Sequence, residues 1–508
     1  MGERLSRRDR RRAWLWAAAI VAGLIALTAG AALLPRALTG PSAALPEESA
    51  ELLTAAGGLD EITVDAAFDP ARKLLTVVQT LTLRNRTGQT QSAAVLRSFS
   101  GAYLNEATSP AASDELYRAC YGERFSTGGL ILDGAEVNGA PVRHAWLDEA
   151  KTVLSLPAEG WQADDSLTVR LTYHVNVPDC RSRFGTDGEV FALGNVFPTP
   201  AVWEDGAWRT DAYIAVGDPF LSECANWTVR LTVPDGYRVA ATGAGSSVST
   251  SDGTLHTLTA HAVRDFALVL SDRFQSAQAM EGDVLVTAFA RSASAARQML
   301  DAARQALRCF ASQWGEYAYP TFTVAEVSFP YGGMEYPRLV MVGADVVAAG
   351  GDTLSYTVAH EAAHQWWYAM VGSDSVRQPW QDESLAEYAL LAYIGSVSGE
   401  AARESAAFER VETAMRVTVP QSVTPGSPID YFDSLDEYGL VVYRRGAAMW
   451  LALEKLLGRE ALNDALRDYQ AQFRFRIATR EALTDILSAH AGFDLSALMT
   501  DYLDTRPN

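Results

Sequence analysis

The sequence predicts an α+β protein with two folded parts behind a basic and then apolar N-terminus. Three observations carry that expectation. Short runs of alternating apolar and polar residues recur from Glu61 to about Ser271, as half-buried β-strands require. Beyond about residue 290 helical patterns take over and persist through Leu503. Ahead of both, an uncharged run over residues 13–34 succeeds a stub carrying Arg4, Arg7, Arg8, Arg10, Arg11 and Arg12.

That run is long enough to cross a bilayer as a helix, with Trp14 and Trp16 placed as interfacial anchors. Arginines on its near side predict a cytoplasmic stub (1–12), a single-pass transmembrane anchor (13–34), and a remainder that lies outside the cytoplasm at the cell membrane. The rival is a cleaved signal peptide, whose apolar core is normally shorter; both readings export the rest of the chain. Residues 35–58, rich in Pro, Ala, Gly and Glu, read as a linker.

Over 59–275 the pattern is that of an all-β saddle or sandwich domain. Ile62, Val64 and Ala66 alternate with polar residues, and runs such as 75–83, 167–173, 227–233 and 266–270 come after them. Turn signals separate them, including Asp69-Pro70, Thr87-Gly88 and Pro234-Asp235-Gly236. Residues 276–508 form the second part. A long helix is expected over 293–314, then strands over 321–329 and 338–343, then helices from Thr353 onward.

A chain of 508 residues exceeds one ordinary core. Its net charge of −20 argues against nucleic acid as a partner, since that calls for a basic face. Cys120, Cys180, Cys224 and Cys309 include no C-x-x-C pair, so no cysteine metal site is indicated. In an exported chain an even count permits two disulfides without fixing their connectivity, and Cys309, in an apolar helical setting, reads as a buried free thiol. The sequence leaves the oligomeric state open.

The chemistry is concentrated in His360-Glu361-Ala362-Ala363-His364. Histidines four apart project from one face of a helix, so both imidazoles can reach a single ion. Zinc suits such donors and leaves room for a carboxylate and a water, one ion per chain. Glu361 points near the same ion without ligating it and is placed as general base. Asp352 or Thr353 is available to cap the helix, and no Pro or Gly interrupts it from Leu354 until Gly372, where it is expected to end. Eighteen residues separate His364 from Glu383, enough for a loop over 377–379 and a second helix that brings Glu383 in as third ligand. Glu387, one turn on, is placed to fix a ligand histidine's tautomer.

His-Glu-x-x-His, eighteen residues, then Glu resembles the gluzincin aminopeptidase family that includes aminopeptidase N. The resemblance extends to Gly332-Gly333-Met334-Glu335-Tyr336, which is similar to the family's Gly-x-Met-Glu-Asn strand and lies 25 residues before His360. It implies that Gly333 and Met334 line the substrate and that Glu335 holds its free α-amino group. Tyr443-Arg444-Arg445-Gly446-Ala447 resembles the family's Tyr-x-Lys-Gly-Ala segment, 60 residues after Glu383, and implies that Tyr443 stabilises the tetrahedral intermediate with Tyr438 nearby. Phe197-Pro198, Gly217-Asp218-Pro219-Phe220 and Arg264-Asp265-Phe266 look like family landmarks in the β domain. A thermolysin-like catalytic domain is the implied fold of 276–508. The chain departs from the pattern at Tyr336 and Ser384, where the family has Asn and Gly, and shows no clear second amine-binding residue in the β domain. It also stops soon after Tyr443, which implies a short form without the C-terminal helical domain and with a more open cleft.

The expected function is a zinc metallopeptidase acting on peptides, as an aminopeptidase if Glu335 anchors the amino end. The alternatives are an endopeptidase or other hydrolase on the same scaffold, and a non-catalytic membrane-tethered binding module.

Overall fold

The computed structural model describes residues 45–111, 113–419 and 423–505. The stub and anchor expected over residues 1–34 lie outside the described residues. Among the described residues no helix is long and apolar enough to cross a membrane.

The alternating segments do form strands. In Leu74–Arg84 every second side chain is buried, with Leu75, Val77, Leu81 and Leu83 on one face. Gln79 shares that face, and its amide is satisfied by Pro198 O (2.8 Å) and the Tyr173 hydroxyl (2.7 Å). This strand lies near the middle of an eight-stranded sheet, between Asp60–Asp69 and Ser166–Asn176. The pairing is antiparallel except between Asp60–Asp69 and Ala225–Val233, which run parallel. Two four-stranded sheets, one centred on Gln91–Arg97 and Val153–Trp161 and the other on Phe191–Leu193 and Leu268–Ser271, and a two-stranded pair, Trp203–Glu204 with Ala207–Trp208, complete the β region among the described residues.

The expected linker needs correction at its end. Ala50–Ala56 is a helix, capped by Ser49, whose side chain accepts from Leu52 N. Leu52 and Ala56 are buried, and the helix packs on Gly253–Val263. Composition hid it: a turn or two of helix held by two apolar contacts leaves little periodic signal.

The second part opens on a five-stranded sheet in the order Gln275–Glu281, Val284–Ala290, Thr321–Val327, Leu339–Gly343, Gly333–Met334. Between its second and third strands runs Ala293–Trp314. Ser292 caps it, and its buried stripe (Ala296, Met299, Leu300, Ala303, Ala306, Leu307, Phe310, Trp314) has helical spacing. It packs on the first two strands and on the helix Gly351–Ala363. Cys309 is buried there as a free thiol, as are the other three cysteines in their settings.

Gly351–Ala363 departs from expectation at both ends. Neither Asp352 nor Thr353 caps it; it starts directly after Gly350, which has φ +61°. It does not run on to Gly372 either. After His364 the chain widens into a π-turn over Gln365–Met370, with Trp367 out of helical geometry. Trp366 and Trp367 are both buried by this turn, against Phe310 and Trp314 respectively. The turn is clamped by Arg264, whose buried guanidinium donates to Tyr368 O (2.8 Å), Ser222 O (3.0 Å) and Arg476 O (2.7 Å). A Cβ on Gly372 would stand 2.2 Å from that guanidinium carbon, so glycine is required by close approach.

Candidate metal centre

Helix geometry places His360 and His364 one turn apart, with ring centroids 4.9 Å from each other. The second helix, Trp380–Ser398, comes directly after Pro379 and packs on the first. It delivers Glu383 from its first turn into the gap between the two rings. His360 Nε2 and His364 Nε2 are 3.2 Å apart, and Glu383 Oε2 lies 3.5 Å from the first and 3.3 Å from the second. Four donors at about 2.0–2.1 Å from one tetrahedral ion stand about 3.3 Å from each other, so the three spacings match a zinc-sized site. Glu383 Oε2 is moreover buried with no hydrogen-bond partner, a costly arrangement for a carboxylate unless a cation is its partner. The residues present therefore fit one zinc ion held by His360, His364 and Glu383.

The charges around this triad are strongly coupled. Burial opposes ionisation of Glu383, but His364 and His360 outweigh it and hold the carboxyl far below its usual range. Burial likewise disfavours protonated His364, yet Asp382, Glu335 and Glu383 raise it well above 6.5. Glu361 is pushed up to about 8, chiefly by burial, and Glu335 well above 4.5 by burial and then by Asp218. Glu335, Glu361 and His364 present ligand atoms within 4.8 Å of one another, and so do Asp218, Glu335 and Glu383. The sequence-predicted base and amine anchor thus converge on the triad.

Glu335 sits just beyond Gly333–Met334, the edge strand of the sheet. A Cβ on Gly333 would lie 2.2 Å from Glu361 Oε1, so glycine here makes room for the base. Met334 is buried beside it in the apolar cluster. Tyr336 explains its own departure from the family pattern: its hydroxyl donates to Asn195 Oδ1 (2.6 Å), tying the strand to the β region, while Asn195 Nδ2 donates to Asp265 (2.6 Å). Ser384 accepts from Trp450 Nε1 (2.8 Å) and packs against Gly446.

Tyr443 also reaches the triad. Its hydroxyl donates to Glu383 Oε1 (2.5 Å), and its ring stacks on His360 at 5.6 Å. Tyr438 is buried edge-on against Tyr443, also at 5.6 Å.

Glu387 does not fix a histidine by hydrogen bonding. Its nearest oxygen is 3.9 Å from His360 Nδ1, because Arg410 claims the carboxylate through two bonds of 2.6 and 2.9 Å. The orienting role falls instead to Asp382, whose Oδ1 is 2.5 Å from His364 Nδ1. Sequence reasoning gave Asp382 no role, although it adjoins the third ligand. Asp218, held by Arg183 at 2.5 Å, also escaped as a site residue, although the Gly217-Asp218-Pro219-Phe220 stretch stood out as a landmark.

Residues 298–502 match the profile of the peptidase family M1 domain. Leukotriene A-4 hydrolase of Xenopus laevis is 30% identical over 176 residues, 33% of this chain and 28% of that protein. Leucine aminopeptidase 2-1 of Meyerozyma guilliermondii is 26% identical over 174 residues, again 33% and 28%. The matched stretch therefore spans little more than a quarter of these curated relatives. Among solved structures, an M1 zinc metallopeptidase from Deinococcus radiodurans superposes with a TM-score of 0.60 at 18% identity, covering 88% of this chain and 94% of that one. A mutant of it bound to a Tyr-Ser-Ala substrate gives the same score over 89% and 96%. These likenesses show a shared fold across both parts. The stretch of this chain that carries the triad, residues 298–502, is thus the part that resembles the peptidase family M1 domain.

Proposed function

We propose that the chain is a zinc-dependent metallopeptidase that hydrolyses peptides from a free amino end. The carrying observation is the tetrahedral spacing of His360 Nε2, His364 Nε2 and the otherwise unpartnered Glu383 Oε2. When bound, zinc supplies Lewis-acid activation of water and of the scissile carbonyl. Glu361, buried and raised toward neutrality, takes the proton of the attacking water and passes it to the leaving amine. Tyr443 turns its hydroxyl from Glu383 to the carbonyl oxygen as negative charge develops there. Glu335 receives the substrate ammonium, and the relatives named as aminopeptidases support that polarity.

Metal analysis with kinetics on free and N-acetylated peptides tests this reading. One zinc per chain and a strong preference for the free amine are expected. Equal rates on both peptides would favour an endopeptidase, and zinc without hydrolysis a binding module.

We further propose that residues 13–34 anchor the chain with the site outside the cytoplasm, a reading supported by the six flanking arginines. N-terminal sequencing of the membrane fraction tests it; a soluble chain starting beyond residue 35 would refute the anchor.

A further inference from the structure

A cavity of about 410 Å³ opens beside Tyr443 and Glu387. It adjoins the triad through those two side chains, since one donates to Glu383 and the other approaches His360. Glu335 groups with Glu361 and His364, and with Asp218 and Glu383, and is not among the residues that line the cavity. With Tyr443 in its wall and Glu335 outside it, the cavity offers room for the part of a substrate beyond the scissile bond.

Its walls carry two arginines with different commitments. Arg410 is bound through two of its guanidinium nitrogens to Glu387, so that pair is self-neutralised. Arg444 is exposed to the cavity and makes no ion pair or hydrogen bond among the described residues. The contrast with Arg445 is instructive. That neighbour turns inward and donates to Ala414 O and Val417 O, so it serves the fold while Arg444 does not. Asp436 also lines the cavity and is exposed, and Arg444 is its uncommitted cation. A guanidinium recognises a carboxylate through paired, charge-assisted hydrogen bonds. The volume is at the small end of the roughly 300–1,000 Å³ common for small-ligand clefts, and suits a residue or two rather than a long chain.

We infer that Arg444 anchors the C-terminal carboxylate of short peptides, making di- and tripeptides the preferred substrates. The inference rests on the hydrolytic reading above. It assigns each end of a zwitterionic peptide a partner of opposite sign, Glu335 at one end and Arg444 at the other.

The test compares kcat/KM for a tripeptide, its C-terminal amide and an octapeptide with the same first residues, on the full zinc-loaded chain. Wild type is expected to favour the free-acid tripeptide over the amide by about tenfold, the order of one charge-assisted contact. Arg444→Ala should erase that preference by raising KM for the acid, with the amide changed by less than about twofold. Arg444→Lys should restore part of it. An unchanged acid-to-amide ratio in Arg444→Ala, or an equal loss on both, would overturn the proposal while leaving hydrolysis standing. No cleavage of any of the three peptides by zinc-loaded wild type would overturn the hydrolytic reading, and this inference with it.

Discussion

The two flanks of the triad are built on opposite principles. On the strand side, Glu335 and Glu361 are buried carboxyl groups close together, with the half-buried Asp218 close to Glu335, and burial above all drives Glu335 and Glu361 upward. On the Tyr443 side the walls are open and their acid–base pair is already closed, with Glu387 spent on Arg410. The first flank crowds carboxyl groups where water is scarce, with Asp218 held by Arg183; the second offers solvent, an exposed Arg444 and an exposed Asp436. A buried excess of one sign stores binding energy for the other, so the strand side is where an ammonium and a cation gain most. The difference teaches that the same triad borders one enclosed acidic flank and one open flank.

The sharpest way to break this comparison is at the base. Glu361→Gln is expected to keep one zinc per chain and to lower kcat by about a thousandfold, within the usual range for a general base. His360→Ala and His364→Ala should instead lose stoichiometric zinc. Elemental analysis beside steady-state rates separates the two, and full zinc in both histidine variants would remove them as ligands. Next in size, Glu335→Ala should cost roughly a hundredfold in kcat/KM on free-amine peptides and far less on acetylated ones. Matched losses on both would make Glu335 a structural charge and dissolve the contrast between flanks. Asp382→Ala comes third. The buried carboxylate that orients His364 should, when removed, weaken zinc affinity by about 10–100-fold, readable by competition with a chelator.

The smallest effect sharpens the strand side through its support. Asp265 accepts from Asn195, which in turn accepts from the Tyr336 hydroxyl. Burial raises the Asp265 carboxyl from 3.8 to about 7. Between those values the unfolded chain has released its proton and the folded chain has not. This group's contribution to stability is therefore complete below pH 3.8, declines as pH rises to about 7, and is level above it. Asp265→Asn should flatten that decline, as urea denaturation at stepped pH would show; an unchanged slope would exclude Asp265 as its source.

How much of this was legible in the sequence depended on range. His360, Glu361 and His364 form their constellation within one helical turn, and Glu383 is reached by a loop of fixed length, so spacing sufficed. Gly333 and Glu335 were legible through their resemblance to a known strand. Asp218 was not, because nothing local distinguishes a turn aspartate from one held by Arg183 toward the site. Asp382 against Glu387 was a choice between two acids on one helix, decided by an arginine 23 residues beyond the second. The π-turn after His364 lay hidden for the same reason: its Tyr368 carbonyl is bound by Arg264, 104 residues earlier.

That clamp bears on modularity. The family match begins at residue 298, yet the donor that satisfies Tyr368 O and Arg476 O comes from position 264. Asn195, which receives the Tyr336 hydroxyl, and Asp218 also come from outside the match. A chain trimmed to the matched residues would lose the donor to Tyr368 O and Arg476 O and the acceptor of the Tyr336 hydroxyl, each bond contributing about 0.5–1.5 kcal/mol net. The recognisable stretch is thus shorter than the inheritable unit: shuffling it onto another β region would transfer the zinc ligands but not the groups that hold their helix in place.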